Sequence, residues 1–395
     1  MNHFMSSSLV SYARAKMAEI AASDLTRVLR PTARGDGLIV ARGGKKLISF
    51  SCNDYLGLSR HPQVIAAAIA ATQRYGAGAG ASRYVTGDNP LYGEVEARLA
   101  RIKGTANQNG GGAIVFGSGY LANLGIIPAL LGDGDLIVGD ELMHACMHGG
   151  SRLSRAKILL FRHNDVDHCA EILAQERAKH GHCLVMTEGV FSMDGDRAPV
   201  KRLADIARRH DAWLFTDDAH ALGVIGDGKG SAHADGADGQ VPLQMGTLSK
   251  AVGAYGGYLC ADADTLELVR HRARSLIYST GLPPAALGAA DAALELIETD
   301  AELVAKPLAK ARLFTDALNL PAAESAIVPV MLGEPKRALG AAQQLEEAGF
   351  MVVAIRPPTV PDGTSRLRVT FSAAHDDADV LRLAEAMKQL EIVTP

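Results

Sequence analysis

The sequence lacks most of the features that mark secreted, membrane-spanning or nucleic-acid-binding proteins. Its five cysteines form no Cys-x-x-Cys pair and are odd in number, which favours a reducing compartment over a disulfide framework. No stretch of about 18 apolar residues occurs, and the N-terminal segment has no apolar block of signal-peptide length. The net charge of −4 gives no general attraction to nucleic acid or to an anionic membrane. We expect a cytoplasmic protein with neither as a partner, and we predict no metal site.

The composition that is present is typical of a well-packed globular protein with more than one domain. Hydrophobic residues make up 48% of the chain and charged residues 21%. A length of 395 residues exceeds what one ordinary hydrophobic core covers. We predict a helical arm and a hairpin around Gly43 and Gly44 in residues 1–46, a large α/β domain in residues 47–289, and a small α+β domain in residues 290–395.

Short apolar runs alternate with longer amphipathic segments along most of the large domain. Runs such as 113–116 and 184–186 indicate buried strands, and helix-like stretches occur at 120–130, 167–179 and 199–210. This alternation predicts a mainly parallel sheet with helices on both faces. Ligands bind at the carboxyl ends of the strands in such sheets, so the polar residues that follow these runs are candidate site residues.

One lysine stands between hydroxyl residues and glycines in the run Thr247-Leu-Ser-Lys-Ala-Val-Gly-Ala-Tyr-Gly-Gly257. The apolar stretch 241–246 would bring Lys250 to a strand end. A lysine amine is a nucleophile only without its proton, so its pKa must fall from roughly 10.4 through burial and positive neighbours. Thr247 and Ser249 offer hydroxyls to a phosphate, and the glycines let the backbone approach a bulky cofactor. The run indicates a Schiff-base lysine for pyridoxal phosphate (PLP), although Ser-Lys before glycines also occurs in ordinary turns.

Two carboxylates and an imidazole follow another apolar strand in the run Ala212-Trp-Leu-Phe-Thr-Asp-Asp-Ala-His220. PLP acts as an electron sink only while its ring nitrogen stays protonated, and a fixed carboxylate beside that nitrogen keeps the proton there. Asp217 fits this role, and His220 could contact the phenolic oxygen of the cofactor or stack near it. A strand-end aspartate pair that caps the next helix is the alternative. The arrival of Lys250 about thirty residues later favours the cofactor site.

Six short motifs occur in a fixed order over about residues 20–390. They are Asn53-Asp-Tyr-Leu-Gly-Leu58, Gly117-Ser-Gly-Tyr-Leu-Ala-Asn123, Thr187-Glu-Gly-Val-Phe-Ser-Met-Asp-Gly195, Asp217-Asp-Ala-His220, Thr247-Leu-Ser-Lys250 and Arg366-Leu-Arg-Val-Thr-Phe-Ser-Ala-Ala-His375. Their order resembles that of the α-oxoamine synthases, a family of PLP enzymes. The resemblance implies an aspartate-aminotransferase-like PLP-dependent transferase fold, with a large mainly parallel sheet domain and a smaller α+β C-terminal domain.

The resemblance also implies cofactor contacts beyond Lys250 and Asp217. Backbone at Gly119 and Tyr120 would bind the phosphate at a helix N-terminus. His144 would lie over the cofactor ring, and Glu188 and Ser192 would lie near its phenolic oxygen. Without the resemblance, a lone histidine is more often structural, and the segment around Ser192 would indicate only a polar turn.

The resemblance also identifies residues that would face a neighbouring subunit, and the chain departs from the family pattern at two places. Ser279 and Thr280 resemble the segment that reaches the phosphate of the partner, which implies a homodimer with the active site at the interface. Tyr92 stands where related enzymes often carry histidine, and residues 108–112 resemble an insertion. The departure at Tyr92 bears on the acyl donor and leaves the cofactor residues intact.

Predicted substrate recognition rests mainly on arginines, because the planar guanidinium binds a carboxylate through two hydrogen bonds. Arg368 matches the family's ligand for the amino-acid carboxylate, and Asn53 and His144 are placed with the substrate too. Arg27 and Thr359 match substrate-binding positions of the biotin-pathway branch, which the chain resembles most.

The implied reaction is the decarboxylative condensation of L-alanine with a pimeloyl thioester, carried by CoA or by a carrier protein. Lys250 would remove the α-proton, Asp217 would keep the cofactor ring protonated, and His220 would orient the cofactor or polarise the thioester carbonyl. Other family members remain alternatives: glycine C-acetyltransferase, 5-aminolevulinate synthase and serine palmitoyltransferase. A catalytically silent cofactor-binding partner is a further alternative, and joint retention of Lys250, Asp217, His220 and Arg368 argues against it.

Overall fold

The computed structural model describes residues 7–22, 26, 28–35, 37–106 and 109–393. Its helices are α1 (Ser7–Ala22), α2 (Pro62–Tyr75), α3 (Leu91–Ile102), α4 (Gly119–Leu130), α5 (Ala145–Ser154), α6 (Val166–Glu176), α7 (Val200–Arg209), α8 (Ser231–Ala234), α9 (Ala263–Arg272), α10 (Arg274–Ile277), α11 (Pro284–Thr299), α12 (Ala301–Ala317), α13 (Pro335–Glu347) and α14 (Asp377–Gln389). Its strands are β1 (Ala33–Arg34), β2 (Ile39–Arg42), β3 (Lys45–Ser49), β4 (Gly112–Phe116), β5 (Leu136–Asp140), β6 (Lys157–Phe161), β7 (Cys183–Glu188), β8 (Trp213–Asp217), β9 (Leu243–Thr247), β10 (Gly257–Ala261), β11 (Ile327–Gly333), β12 (Phe350–Met351), β13 (Val353–Ile355) and β14 (Ser365–Thr370).

The central sheet has seven strands in the order β4-β10-β9-β8-β7-β5-β6. Every neighbouring pair is parallel except those of β10, which runs antiparallel to β4 and to β9. Successive side chains of β7 alternate between two apolar clusters. Leu184 and Met186 pack with α4 and α9, whereas Val185 packs with α6 and α7. Helices therefore cover both faces, and the predicted mainly parallel sheet is confirmed.

A smaller antiparallel sheet, β11-β14-β13, lies in the C-terminal part of the chain. Its Leu367 and Val369 share an apolar cluster with Phe314 of α12, Leu345 of α13 and Leu383 of α14. A third sheet, β1-β2-β3-β12, joins the N-terminal hairpin to this unit, because β3 pairs in parallel with β12. The C-terminal unit is thus an α+β layer that the N-terminal strands extend.

The transition between the two units runs through helix α11. The predicted boundary at residue 290 falls inside this helix, whose Leu287 and Leu294 pack with Val95 and Leu99 of α3 in one core cluster. The domain limits remain a prediction.

The predicted hairpin corresponds to strands β2 and β3. They are antiparallel, and Gly43 and Gly44 between them both have positive φ, at 56° and 78°. Glycine accepts these angles at little steric cost, which is why a two-residue turn fits here. In the part of the chain that the structure describes, no helix has the length and apolarity needed to cross a membrane.

Candidate active site

Four polar residues meet where strands of the central sheet end. Asp140, Glu188, Asp217 and Thr247 are the last residues of β5, β7, β8 and β9. The carboxyl ends of parallel strands lie on one edge of the sheet, and Glu188 is the register partner of Asp217. The predicted site residues of these strands are therefore brought together by the sheet itself.

The carboxylate of Asp217 is held by two donors. Nδ2 of Asn123, on α4, donates to Oδ2 at 2.9 Å, and the backbone N of Ala219 donates to Oδ1 at 3.0 Å. Asp217 is buried, so the two donors replace the water that its oxygens lose. This is the fixed anion that a protonated pyridine nitrogen requires.

Lys250 carries an amine that can lose its proton near neutral pH. Its Nζ lies 2.7 Å from Nε2 of His220. Burial lowers the pKa of Lys250 to about 8, although the carboxylates of Asp217 and Glu188 oppose the shift. A pKa near 8 leaves roughly a tenth of the amines neutral at pH 7, which is far more than for an ordinary lysine. The sequence predicted such a lysine, and the geometry shows the cause.

His220 stands between the amine and a buried tyrosine. Its Nδ1 lies 2.6 Å from the hydroxyl of Tyr55, and the imidazole is buried. Burial lowers the pKa of His220 well below its usual value, and the charges of Lys250 and Arg368 add to the effect. The ring is therefore neutral near pH 7, with one nitrogen that donates and one that accepts.

Arg368 is a buried cation that meets only neutral groups. Its Nε donates to the carbonyl of Ser192 at 2.5 Å, Nη1 to Oδ1 of Asn53 at 3.1 Å, and Nη2 to the hydroxyl of Tyr55 at 3.3 Å. No carboxylate within the described ranges forms an ion pair with Arg368, which is 7% exposed. Arg366, two residues earlier on β14, instead pairs with Asp194. A buried guanidinium without an anion suits a substrate carboxylate.

Glu188 presents a buried oxygen with no hydrogen-bond partner. Its Oε2 accepts from the backbone N of Ser192 at 3.1 Å, whereas Oε1 is unpaired. Burial, and then the neighbouring carboxylate of Asp217, raise the pKa of Glu188 well above its usual value. A buried carboxyl group with an unused oxygen suits a polar ligand group at this point of the site.

The N-terminus of α4 approaches the end of β9 closely. The helix begins after Ser118, whose side chain accepts from the backbone N of Leu121 at 3.1 Å. A methyl group added at Gly119 would lie 3.2 Å from Cβ of Thr247, so this position favours glycine. Thr247 Oγ1 in turn lies 2.8 Å from Oγ of Ser249. Backbone N–H groups at a helix N-terminus suit a phosphate.

These groups together fit PLP. Asp217 is a fixed anion for the ring nitrogen, Lys250 is an amine of lowered pKa, and Glu188 has an orphaned oxygen. The α4 N-terminus, with Gly119 and Thr247, offers the phosphate end. The fit thus covers both ends of the cofactor.

The other predicted positions differ in how they relate to this hydrogen-bonded core. His144, the exposed N-cap of α5, joins the core through Cys146, because its Nδ1 lies 2.8 Å from the Sγ to which Asn123 donates at 3.1 Å. The side chain of Tyr120 is exposed, whereas its backbone belongs to the N-terminal turn of α4. Thr280 forms an isolated antiparallel bridge with Ser82, and Ser279 precedes it. Thr359 is exposed and lines a cavity of about 550 Å³ beside α1. Arg27 lies outside the described residues.

Two residues of the site received no role from the sequence. Tyr55 and Asn123 both lie within the motifs, yet nothing in the local pattern distinguishes them from core residues. Tyr92, noted as a departure, is a core residue whose hydroxyl accepts from the backbone N of Leu282 at 2.6 Å. Arg83 lies over its ring at 3.7 Å.

Comparison with known proteins identifies the family. The model of the aminotransferase class I and II family matches residues 45–387. An 8-amino-7-oxononanoate synthase from Methylocella silvestris is 62% identical over 89% of this chain and 99% of its own, and one from Methylobacterium nodulans is 57% identical over 97% of each. A solved serine palmitoyltransferase from S. paucimobilis with bound PLP–myriocin has a TM-score of 0.89 at 32% identity, over 98% of this chain and 99% of its own.

These matches confirm the predicted PLP-dependent transferase fold and the PLP cofactor. They also confirm the predicted enzyme class, because the relatives and the solved neighbour are acyl-condensing members of one group. The chain belongs to the aminotransferase class I and II family, and within it to the α-oxoamine synthases.

Proposed function

We propose that the protein condenses L-alanine with a pimeloyl thioester to 8-amino-7-oxononanoate, carbon dioxide and free thiol, as one step of biotin biosynthesis. The observation that carries this proposal is the joint placement of Lys250, of lowered pKa, and Arg368, a buried cation with no anionic partner among the residues that the structure describes. Relatives with this activity in their names are 57% and 62% identical, whereas the serine palmitoyltransferase is 32% identical. The difference in identity favours the pimeloyl branch.

The cofactor would be held at three points. Lys250 would bind it through the amine, Asp217 would accept the ring-nitrogen proton in a hydrogen bond, and the N-terminus of α4 would receive the phosphate. Bound PLP supplies an electron sink that stabilises negative charge at the α-carbon of an attached amino acid. Asp217 keeps that sink effective because it stays fixed by Asn123.

Lys250 and His220 would move the protons. The Lys250 amine, once free, would take the α-proton of the amino acid, and its lowered pKa matches that task near neutral pH. His220 lies 2.7 Å from the same amine and is neutral, so it can exchange a proton with Lys250.

Arg368 would hold the carboxylate that the reaction removes. Its guanidinium is fixed by Ser192 and Asn53, which leaves the cation charged and in place for an incoming anion. When that anion leaves as neutral carbon dioxide, its attraction to Arg368 disappears. The predicted substrate roles of Arg27, His144 and Thr359 remain part of this proposal.

We also propose a homodimer in the cytoplasm. Four exposed tyrosines lie on segments near the predicted partner-facing residues Ser279 and Thr280: Tyr84, Tyr120, Tyr255 and Tyr278. Helix α10, just before Tyr278, packs against α4, which carries Tyr120, and against the turn that holds Tyr84, so these three tyrosines lie on neighbouring segments. Exposed aromatic side chains in such a group are typical of protein interfaces. All five cysteines are unpaired, which agrees with a reducing compartment.

A thiol-release assay with purified holo-protein tests the function. L-alanine, glycine and serine are each combined with pimeloyl, acetyl, succinyl and palmitoyl thioesters. We expect the highest kcat/KM for pimeloyl thioester with L-alanine. A clear preference for another pair would assign the chain to a different branch of the family.

Arg368→Gln tests the carboxylate site in the same protein. Loss of a charge-assisted contact of about 1.5–3 kcal/mol should raise the Kd for L-alanine about 10- to 100-fold, measured by absorbance titration. Arg366→Gln is the control, because Arg366 already has Asp194 as its anion. Arg366→Gln should lower the thermal stability of the protein and leave the Kd for L-alanine nearly unchanged.

A further inference from the structure

Tyr55 connects the two charged ends of the site. Its hydroxyl lies 2.6 Å from Nδ1 of His220, 3.2 Å from Oδ1 of Asn53 and 3.3 Å from Nη2 of Arg368. The side chain is 0% exposed, so no water satisfies the hydroxyl. His220 continues the chain to Nζ of Lys250 at 2.7 Å. A continuous path therefore runs from the guanidinium to the amine through one tyrosine.

Counting donors and acceptors fixes the direction of each bond. A phenol has one proton to donate and two lone pairs to accept with. Arg368 can only donate, and Oδ1 of Asn53 can only accept, so the Tyr55 proton points to Asn53 and one lone pair faces Arg368. The remaining lone pair faces Nδ1 of His220, which must then carry the imidazole proton. The alternative, with the Tyr55 proton directed at Nδ1, leaves the oxygens of Tyr55 and Asn53 facing each other at 3.2 Å as two acceptors, and it turns Nε2–H toward Nζ of Lys250 at 2.7 Å.

We propose that Tyr55 is a positioning residue that keeps the proton of His220 on Nδ1, so that the lone pair of Nε2 faces Lys250. His220 is then an acceptor toward the lysine and not a donor. The consequence for catalysis rests on the proposed function, because it makes His220 the place where Lys250 can leave a proton during condensation. The tautomer itself does not depend on which substrates the enzyme uses.

The two tautomers of His220 have opposite effects on the stability of the Lys250 ammonium. An acceptor at Nε2 stabilises the Lys250 ammonium, which donates to it, whereas an Nε2–H would face that ammonium with a like-signed dipole. Without the Tyr55 hydroxyl, Nδ1–H would be a buried donor with no acceptor, and such a group is costly. The imidazole would therefore move its proton to Nε2.

The direct test is ¹⁵N NMR of histidine-labelled full-length protein without PLP, the state in which Lys250 is a free amine. Nitrogen shifts separate the two neutral tautomers, and comparison with His220→Asn assigns the His220 signals. We expect the Nδ1–H form in the unsubstituted protein and the Nε2–H form in Tyr55→Phe. The matched control is Tyr258→Phe, since Tyr258 is equally buried and its hydroxyl has no partner. The control should keep the Nδ1–H form.

A second readout is the labelling rate of Lys250 in the PLP-free protein by reductive methylation, read by peptide mass spectrometry. Loss of the acceptor in Tyr55→Phe should lower the pKa of Lys250 by about 1, which speeds labelling at pH 7 about fivefold. Tyr258→Phe should label as the unsubstituted protein does.

An Nε2–H tautomer in the unsubstituted protein overturns the inference, and this measurement needs no variant to fold. Equal spectra and labelling rates for Tyr55→Phe and Tyr258→Phe also overturn it. If the tautomer is as expected while the thiol-release assay shows another substrate pair, only the proposed substrates are wrong.

Discussion

Replacing Asn123 with leucine removes the side-chain donor of Asp217 while keeping a side chain of similar size. The Asn123 amide is fully buried and lies 2.9 Å from Oδ2 of Asp217. After the change, the backbone N of Ala219 is the remaining donor to that carboxylate, at 3.0 Å. A buried carboxylate that loses such a donor is less well oriented toward a ligand. We expect Asn123→Leu to bind PLP more weakly.

The size of the loss follows from the charge on Asp217. A hydrogen bond to a charged group contributes about 1.5–3 kcal/mol, and each 1.4 kcal/mol is a factor of ten in affinity. The Kd for PLP should therefore rise about 10- to 100-fold. The amide also contacts Sγ of Cys146 at 3.1 Å, so Cys146→Ala measures how much of the loss comes from that contact.

Absorbance titration of PLP-free protein with PLP measures the Kd. Thr216→Val is the matched control, because Thr216 precedes Asp217 on β8, is fully buried and has a hydroxyl without a partner. Its Kd should change by no more than about twofold. Equal affinities for Asn123→Leu and Thr216→Val, with weak binding by Asp217→Ala, would falsify the role of the amide.

Two further predictions concern ionisation. Because burial lowers the pKa of Lys250 to about 8, its labelling by reductive methylation in the PLP-free protein should rise about tenfold from pH 6 to pH 7 and level off above pH 8; a rise that continues to pH 10 contradicts this. Burial opposes the charge of His163, but hydrogen bonds to Asp140 and Asp196 outweigh it and raise the pKa to about 10. The resulting stability is fully present below about pH 6.5 and is lost as pH rises through 10. His163→Gln should therefore lower the free energy of unfolding, measured by denaturant titration, by about 2–3 kcal/mol at pH 6. The decline of that free energy toward pH 10 should also become flatter. The control is His271→Gln, at a side chain that is 71% exposed, and it should match the unsubstituted protein.

The sequence alone determined the sheet and the residues at its strand ends. Lys250, Asp217 and His220 each follow a buried apolar run, and the parallel arrangement brings such positions to one edge. The reason is that a buried strand can be recognised from its own run of apolar residues. In a parallel sheet, the polar residue that follows the run then lies at the edge formed by the carboxyl ends of the strands. The chemistry of two side chains then indicated the cofactor, because the amine of Lys250 and the strand-end carboxylate of Asp217 together suit PLP.

The sequence separated Arg366 from Arg368 only through the resemblance to a family. Both are buried, and they stand two residues apart on β14, so both side chains point to the same side of the strand. Asp194 neutralises Arg366, whereas Arg368 meets Asn53 and a carbonyl. Which loop faces each arginine depends on how the two units pack, and no local pattern contains that information.

Only the tertiary structure decided the roles of Tyr55 and Asn123. Asn123 and Asp217 are 94 residues apart in the chain, and Tyr55 and His220 are 165 apart. The lowered pKa of Lys250 and the unpaired oxygen of Glu188 have the same origin, because burial and neighbouring charge exist only after the strands are assembled. The chain thus encodes locally which residues can react, while the packing of distant segments sets their protons and their partners.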